Sequence, residues 1–244
     1  NPHASISLVV MDKEGEIIEE GNWVRTSNKL PRVVEEIKPH PHGIQLGTLQ
    51  RMLRESTDRR MTSFLKHNFS GVSPRAAKEI LGMADIEEGR TPKRIKPEEA
   101  KAMITAFQTV KLLKPPMDCL SPIEDLLIKK GLSKAIDSRF ASTVTRSPTV
   151  SQGNPFQIEV GLVFGGDLSS EGPIEILRFA NRVPLMYQQG GCLLTKALEA
   201  VNWKSYGLEQ PGGSGIPKGP AAVLVHLAST NVQFTSEAKE AVSY

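Results

Sequence analysis

The sequence predicts a protein of mixed α and β structure, in which a small helical domain is followed by an α/β layer. Between residues 45 and 110, apolar residues recur at helical spacing in four consecutive segments. Between residues 156 and 164 they instead alternate at every second position, which is typical of a β-strand. From residue 154 onward the predicted order is strand, strand, helix, strand, helix, which indicates helices packed on a sheet.

The first residues predict a β-hairpin. Ile6, Leu8 and Val10 lie on one side of a strand, "DKEG" supplies a turn, and "EIIEE" is a possible return strand. A connector over residues 30–43 follows. Its prolines favour extended chain, because proline lacks the N–H that a continuing helix needs.

Four helices are predicted next. The best marked begins with Ser73 as the N-cap and Pro74 at the first helical position, and its Ile80 and Leu81 face the core. The other three are placed by apolar stripes: Leu46, Leu49, Met52 and Leu53; Met61, Phe64 and Leu65; and Ala100, Met103, Ile104, Phe107 and Val110. Pro115 and Pro116 end the block.

The α/β layer opens with a further predicted helix in "SPIEDLLIKKG". Ser121 would be its N-cap, Glu124 would complete a capping box, and Gly131 would end it. Strands are then predicted in "NPFQIEVGLVFGG", "PIEILRFANRV" and "AAVLVHLAS". Two more helices are predicted, one beginning after Ser236 and one in "GGCLLTKALEAVNW" with Leu194, Ala197, Leu198 and Val201 facing inward.

Composition narrows the classes of protein. Basic residues concentrate in residues 38–96, which hold twelve Lys or Arg against six Asp or Glu, although the net charge of the whole chain is only +3. Such a segment is typical of a nucleic-acid partner, and also of a solvated helical face. Cys119 and Cys192 lie far apart without CxxC spacing, which favours a reducing, intracellular setting over a disulfide or zinc framework. No apolar run approaches the roughly 20 residues of a membrane span.

Several motifs fail as catalytic or metal sites. "GGSGIPKG" at residues 212–219 lacks the Lys-Ser/Thr pair that follows the second glycine of a phosphate loop. His40 and His42 lie in the proline-rich connector without helical spacing or an acidic neighbour, so no metal site is predicted. His226 is interpreted as a core histidine with satisfied hydrogen bonds.

Two motifs suit nucleic acid. Trp203, Lys204 and Tyr206 combine aromatic rings with a lysine, which suits stacking and phosphate contact; alternatively Trp203 belongs to the core and the rest is a helix C-cap. The loop "GRTPKRIK" contains four basic residues: Arg90, Lys93, Arg94 and Lys96. They suit contact with a phosphate backbone; the alternative is an ordinary solvated loop.

Lys239 is placed by this interpretation in the first turn of the last predicted helix, an end that already carries partial positive charge. Free N–H groups after the N-cap residues Thr235 and Ser236 would form an anion site, and Lys239 would strengthen it. The alternative is a solvated lysine neutralised by Glu237 and Glu240.

The chain resembles the B subunits of topoisomerase VI, the type IIB topoisomerases of archaea and plants, which contain a GHKL-type ATPase domain. The resemblance is carried by segments in order along the chain: "IKPHPHG", "SPRAAKEIL", "RSPTVSQGNPFQIEVGLVFGG", "RFANRVPLMYQQG", "NWKSYG" and "VHLASTNVQFTSEAKEAV". It implies the tail of a GHKL ATPase domain in residues 1–37, a helix-two-turn-helix domain in 38–115 and a transducer domain in 116–244. The transducer of this family contains a left-handed βαβ crossover.

The resemblance also implies site residues. Lys239 matches the switch lysine that reaches the ATP γ-phosphate, and Trp203, Lys204 and Tyr206 match a WKxY motif associated with DNA. Within the expected helix-two-turn-helix domain, DNA contact is a hypothesis from charge for Arg75, Lys78, Arg90, Lys93, Arg94 and Lys96. The motifs that bind ATP and Mg²⁺ are expected upstream of residue 1, so no cofactor is expected in this segment alone, and the chain is expected to be part of a longer protein.

The function that follows is coupling of ATP hydrolysis to passage of one DNA duplex through another, with relaxation of supercoils. The segment alone is expected to be non-catalytic. Its implied partners are duplex DNA, an A subunit in a heterotetramer of two A and two B chains, and a second B subunit through the ATPase domains, in an archaeal cytoplasm and nucleoid. The alternatives are a stand-alone duplex-binding module without ATP coupling and a small-molecule kinase, which would need a phosphate loop.

Overall fold

The computed structural model of the protein describes residues 3–28 and 36–243. These residues form two compact units, which we call the α/β unit and the helical unit. The α/β unit contains residues 3–28, 121–147 and 157–243, and the helical unit contains residues 36–120 and 148–156. Within the described ranges, no helix is long and apolar enough to cross a membrane.

The helical unit confirms the four predicted helices. They are α1 (Leu46–Glu55), α2 (Met61–Asn68), α3 (Pro74–Met83) and α4 (Pro97–Thr109). Their apolar stripes meet in one core, in which Leu49, Phe64 and Phe107 are completely buried. The predicted cap of α3 also forms, because Ser73 Oγ accepts a hydrogen bond from the N–H of Ala76 at 3.1 Å.

Residues 36–43 of the predicted connector are fixed in the helical unit by a buried histidine, and residues 30–35 lie outside the described part of the chain. His40 Nε2 lies 2.9 Å from the carbonyl oxygen of Leu113, and its Nδ1 accepts the N–H of His42 at 3.2 Å. A Cβ added at Gly153, whose φ is +74°, would lie only 2.8 Å from Nδ1 of this ring, so that position requires glycine. Both ring nitrogens of His40 therefore have hydrogen-bond partners in the backbone.

The α/β unit begins with the predicted hairpin, formed by the antiparallel strands β1 (Ile6–Met11) and β2 (Ile17–Trp23). A separate sheet contains the remaining strands: β3 (Phe140–Thr145), β4 (Thr149–Ser151), β5 (Asn154–Phe164), β6 (Glu175–Ala180), β7 (Val183–Pro184) and β8 (Ala221–Ser229). Its order is β3-β5-β8-β6-β7, with β4 paired to β5, although β4 and the first residues of β5 group with the helical unit. Sequence analysis missed β3 and β4.

A helical crossover joins two neighbouring parallel strands of this sheet. Strands β6 and β8 pair in parallel, and α6 (Leu193–Glu199) lies between them in the chain. This arrangement confirms an α/β unit in which helices pack on a sheet. The left-handedness of the crossover stays a prediction.

Both faces of the sheet are covered in part, because side chains alternate along each strand. Helix α5 (Asp125–Ala135) packs Ile128 and Leu132 on one face, where Gly161 of β5 leaves room for them: a Cβ there would lie 2.6 Å from each side chain. On the other face, Val160, Val223 and Val225 of the strands belong to one apolar cluster with Leu194 and Leu198 of α6.

Three predicted helical features are wrong. Helix α5 begins at Asp125 rather than after Ser121, because Glu124 has a φ of +78° and cannot continue a helix, and α5 runs past Gly131 to Ala135. No helix begins after Ser236; residues 236–239 form a turn in which Lys239 has a φ of +55°. Helix α6 ends at Glu199, and its buried face is formed by Leu194, Thr195 and Leu198, which leaves Ala197 on the exposed face.

Candidate functional site

Lys239 lies near the tip of a loop that folds back on itself, which we call the lysine loop (residues 233–243). The N–H of Thr235 donates to the oxygen of Ala241 at 2.9 Å, and the N–H of Ser243 donates to Gln233 at 2.9 Å. Phe234 and Val242 form the bridge between these two bonds. The loop therefore closes through its own backbone, and Lys239 is exposed beyond the closure.

The base of the lysine loop is anchored in the core of the α/β unit. Ala241 and Val242 are buried, and the oxygen of Val242 accepts the N–H of Leu193 at the start of α6, at 2.8 Å. Gln188 bonds to both arms of the loop, donating to Glu240 at 2.7 Å and accepting from the Thr235 hydroxyl at 3.3 Å. The loop thus has a fixed base and an exposed cationic tip.

The segment that leads to Gln188 is bonded to a buried arginine. Arg178 of β6 is only 3% exposed, and its Nη2 donates to the carbonyl oxygens of Leu185 and Tyr187 at 2.9 and 2.8 Å. The same guanidinium lies beside the Cys192 thiol. Burial raises the pKa of Cys192, but hydrogen bonds from the backbone at Val242 and from Arg178 outweigh it, so the pKa lies below its usual value.

The motif at residues 203–206 forms a short 3₁₀ turn that divides its side chains between core and solvent. Trp203 is 8% exposed, and its indole N–H donates to the oxygen of Leu198 at 2.7 Å. Lys204 and Tyr206 are exposed, and Tyr206 shows 77% of its surface. Trp203 is therefore a core residue, and Lys204 and Tyr206 are the two members that can reach a ligand.

Most of the basic residues predicted to contact DNA in the helical unit are exposed to solvent. Arg75 and Lys78 lie on α3, and Lys93, Arg94 and Lys96 lie in the basic loop near the 3₁₀ turn Pro92–Arg94. Lys78 is 3.6 Å from the carboxylate of Glu88. Surface pairs of this kind contribute little stability, so Lys78 remains able to exchange partners.

Arg90 differs from the other basic residues of this group. Its guanidinium forms a salt bridge with Glu99 and also donates to the oxygen of Arg94 at 2.9 Å. Glu99 in turn accepts the N–H of Lys96 at 2.6 Å, and this backbone hydrogen bond holds the pKa of Glu99 below its usual value. Arg90 therefore holds the loop against the start of α4.

The most elaborate polar cluster of the described residues surrounds Glu159 in the middle of β5, and no local signal in the sequence indicated it. Glu159 is completely buried and accepts four hydrogen bonds. Their donors are the N–H groups of Ile123 and Glu124 and the hydroxyl of Thr145, each at 2.7 Å, and Nδ1 of His226 at 2.6 Å. Burial raises the pKa of Glu159, but the bonds from His226, Thr145 and the two N–H groups outweigh it, so its pKa lies below the usual value.

The second ring nitrogen of His226 extends this cluster. Nε2 accepts the N–H of Arg182 at 3.0 Å, so the ring proton lies on Nδ1, toward Glu159. The side chain of Arg182 reaches back to donate to the oxygen of Pro122 at 2.6 Å. His226 is completely buried with both nitrogens bonded, which confirms its interpretation as a core histidine. Among the residues that the structure describes, no group of three or more His, Cys, Asp or Glu side chains could hold a metal ion.

The fold and these surfaces together define a class: a two-unit protein with a parallel β-α-β crossover, a lysine-tipped loop on one unit and a basic surface on the other. The family described as "Topoisomerase VI B subunit, transducer" matches residues 115–244, more than half of the chain. The chain belongs to the topoisomerase VI B subunit family.

Three of the relatives that match the full length of this chain illustrate the similarity. The type 2 DNA topoisomerase 6 subunits B of Methanococcoides burtonii and Methanosarcina barkeri are each 48% identical over 243 residues. That of Archaeoglobus fulgidus is 45% identical over 243 residues. The match covers 100% of this chain in each case, and 38%, 38% and 39% of the respective relative, so the chain spans little more than a third of their length.

Solved structures are less similar. The B subunit of DNA gyrase from Myxococcus xanthus aligns with a TM-score of 0.29 and 21% identity, over 48% of this chain and 33% of that chain. The 43K ATPase domain of Thermus thermophilus gyrase B aligns with a TM-score of 0.27 and 20% identity, over 48% and 31%. These scores are too low to support an argument about fold or function.

Proposed function

We propose that this chain is the coupling part of an ATP-dependent type II DNA topoisomerase, in which it relays the state of bound ATP to the passage of one duplex through another. Family membership supports the class of activity. The observation that carries the coupling role is the lysine loop, whose base is fixed in the α/β core while Lys239 extends into solvent.

The proposed domain organisation follows the family. Residues 1–37 would be the end of an ATPase domain, residues 38–115 a helix-two-turn-helix domain and residues 116–244 the transducer. The complete protein would assemble with an A subunit as a heterotetramer, dimerise through its ATPase domains, and act on the DNA of an archaeal cytoplasm and nucleoid. By itself the described part would not be catalytic.

Lys239 fits the role of a γ-phosphate ligand. Its ammonium group is exposed, carries three donors and is positioned by a loop whose backbone is already hydrogen-bonded, which limits the entropy lost on binding. When ATP is hydrolysed Lys239 loses its anionic partner, and the lysine loop is then free to take up a different position. ATP and Mg²⁺ would be bound mainly by the ATPase domain of the complete subunit.

Lys239→Ala tests this role in the complete subunit assembled with its A subunit. We expect ATP binding to change little, because most contacts to ATP lie elsewhere in the protein. ATP hydrolysis and supercoil relaxation should fall about 100-fold, as when one preorganised donor to a reacting group is removed. The measurements are nucleotide affinity, steady-state ATPase rate and relaxation rate.

The matched control is Lys130→Ala, which removes an exposed lysine from α5 of the same unit. It should leave all three quantities unchanged, and Lys239→Arg should retain part of the activity. Strand passage at the wild-type rate in Lys239→Ala would refute the switch role.

The proposed DNA contacts fall into two groups. In the helical unit they are Arg75, Lys78, Lys93, Arg94 and Lys96, with Arg90 acting through its hold on the loop. In the α/β unit they are Lys204 and Tyr206, with Trp203 supporting them from the core. Cations on flexible stems bind phosphates without reading base sequence, which suits an enzyme that acts on many sites.

Lys93→Ala combined with Arg94→Ala tests the DNA surface. A plot of log affinity against log salt concentration has a negative slope. Each lost phosphate contact should make this slope shallower by about one. The quantity to measure is duplex affinity of the whole chain between low and moderate salt. Lys101→Ala on the exposed side of α4 is the control. An unchanged slope in the double variant, equal to that of the control, would remove this loop from the DNA surface.

A further inference from the structure

The polar cluster around Glu159 joins two parts of the α/β unit that the proposed coupling has to connect. One is the 122–124 segment, which follows the point at Ser121 where the chain passes from the helical unit into the α/β unit. The other is β8, which leads at its C-terminal end into the lysine loop. Glu159 bonds to both parts, because it accepts the N–H groups of Ile123 and Glu124 and also bonds to His226.

Arg182 makes the same connection a second time. Its backbone N–H bonds to His226 of β8, and its guanidinium bonds to the oxygen of Pro122. Two hydrogen-bonded paths therefore run from the His226 ring of β8 to the 122–124 segment, one through a buried carboxylate and one through an arginine. Removal of the Arg182 side chain would cut the second path and leave the hydrogen bonds of the first in place.

The C-terminal end of β8 is held especially closely by the turn that contains Arg182. The N–H of Asn181 donates to Leu227 at 2.8 Å, and the Asn181 side chain exchanges two hydrogen bonds with the backbone of Ser229, both at 2.9 Å. Asn181 and Arg182 have φ values of +46° and +68°, a region that residues other than glycine seldom adopt. The turn is thus fixed on the last residues of β8 before the lysine loop.

These bonds allow only one register between the parts they join. Side chains alternate along a strand, so a shift of β8 by one residue would turn His226 to the opposite face and separate it from Glu159. Apolar contacts tolerate small sliding movements, whereas a buried carboxylate that loses its donors is strongly penalised. The cluster is therefore suited to moving two segments together.

We infer that Glu159, Arg182 and His226 are positioning residues that make β8 and the 122–124 segment move as one body. Movement of the lysine loop would then reach the segment through which the chain leads to the helical unit. This inference rests on the proposed function, and it adds the residues that carry the movement. A cluster that served stability alone would make no difference to coupling once the protein is folded.

The experiment uses the complete subunit assembled with its A subunit and measures supercoil relaxation per ATP hydrolysed. Glu159→Gln keeps the shape of the side chain but removes its charge, and the ratio should fall about tenfold while ATP affinity stays the same. Arg182→Met removes the bond to Pro122 and the attraction of the guanidinium for the Glu159 and Glu124 carboxylates, but it keeps the backbone N–H that bonds to His226. The ratio should fall about threefold. Arg182→Lys should recover part of this loss.

The matched control is Val163→Ala, which creates a cavity beside α5 without touching the cluster. It should lower the melting temperature and leave the ratio unchanged. The inference would be overturned if Glu159→Gln and Arg182→Met both gave the wild-type ratio. If Glu159→Gln does not fold, a wild-type ratio in Arg182→Met is enough to overturn it. Wild-type strand passage in Lys239→Ala would instead refute the proposed function, so the two failures are distinguishable.

Discussion

The two units of this protein are built around different kinds of core. In the helical unit the buried cluster is apolar, and His40 and Ser56 are its only buried polar residues among those the structure describes. The α/β unit buries seven: Ser121, Gln157, Glu159, Arg178, Thr195, Gln210 and His226. Apolar packing is non-directional, whereas each buried polar group needs particular partners. The helical unit is thus specified by shape, and the α/β unit by pairing as well.

Glu159→Ala should give the largest effect and is the most direct way to break this comparison. Loss of the carboxylate leaves His226 and the N–H groups of Ile123 and Glu124 without an acceptor. Each buried donor left unsatisfied costs about 1–3 kcal/mol, so the free energy of unfolding should fall by several kcal/mol. Amide hydrogen exchange in β8 should accelerate strongly. Exchange in α1 to α4 should not change.

The matched control is Leu65→Ala in the helical unit, where Leu65 is completely buried. Its cavity should cost about 3 kcal/mol and accelerate exchange in the four helices alone. If Glu159→Ala left exchange in β8 unchanged, the buried polar groups would contribute no more than apolar packing, and the distinction between the two cores would be wrong.

Lowering the pH should also distinguish the two cores, with a smaller effect on stability than the substitutions above. Burial holds the pKa of His40 below its ordinary value of 6.5. The contribution of neutral His40 to the stability of the helical unit is therefore complete above pH 6.5. It is lost as the pH falls through the lowered pKa of the folded state. Despite the opposing effect of burial, hydrogen bonds hold the pKa of Glu159 below its ordinary 4.5. The contribution of Glu159 is therefore complete above 4.5 and lost only at lower pH.

The expected result is a sequence of two openings. Exchange at residues 40–44 of the connector should accelerate first as the pH is lowered from 7, and exchange in β8 should accelerate later. His40→Asn should remove the first step and leave the second in place. Opening of β8 before the connector would contradict the assignment of these two residues to the two pH ranges.

The four helices of the helical unit were predictable because their signals are local. The hydroxyl of Ser73 caps α3 by accepting the N–H of Ala76, only three residues further along the chain. Apolar residues at helical spacing identify the other three helices. The hairpin and the longest strand were predictable for the same reason. The core position of His226 also followed from its mainly apolar strand, whereas a core position for Trp203 was one of two alternatives.

The remaining features depend on residues distant in sequence. The N–H groups before α5 are capped by Glu159, 35 and 36 residues further along the chain, so the start of this helix could not be found from Ser121. The lysine loop is closed by backbone bonds between residues 233 and 243 and by Gln188, which N-cap signals at Thr235 and Ser236 do not reveal. The argument for an anion site at Lys239 depended on a helix that does not form, so the proposed γ-phosphate role of Lys239 depends on the resemblance.

The burial of Trp203 has an optical consequence. The chain contains two tryptophans, Trp23 and Trp203, and both belong to the α/β unit. Emission excited at wavelengths that only indole absorbs will therefore report on that unit, while far-ultraviolet circular dichroism will be dominated by the helices of the other. Trp203 lies in an apolar site with its N–H bonded, so its emission should shift to the red when the site opens. The two cores can thus be followed separately, in one sample and without an added label.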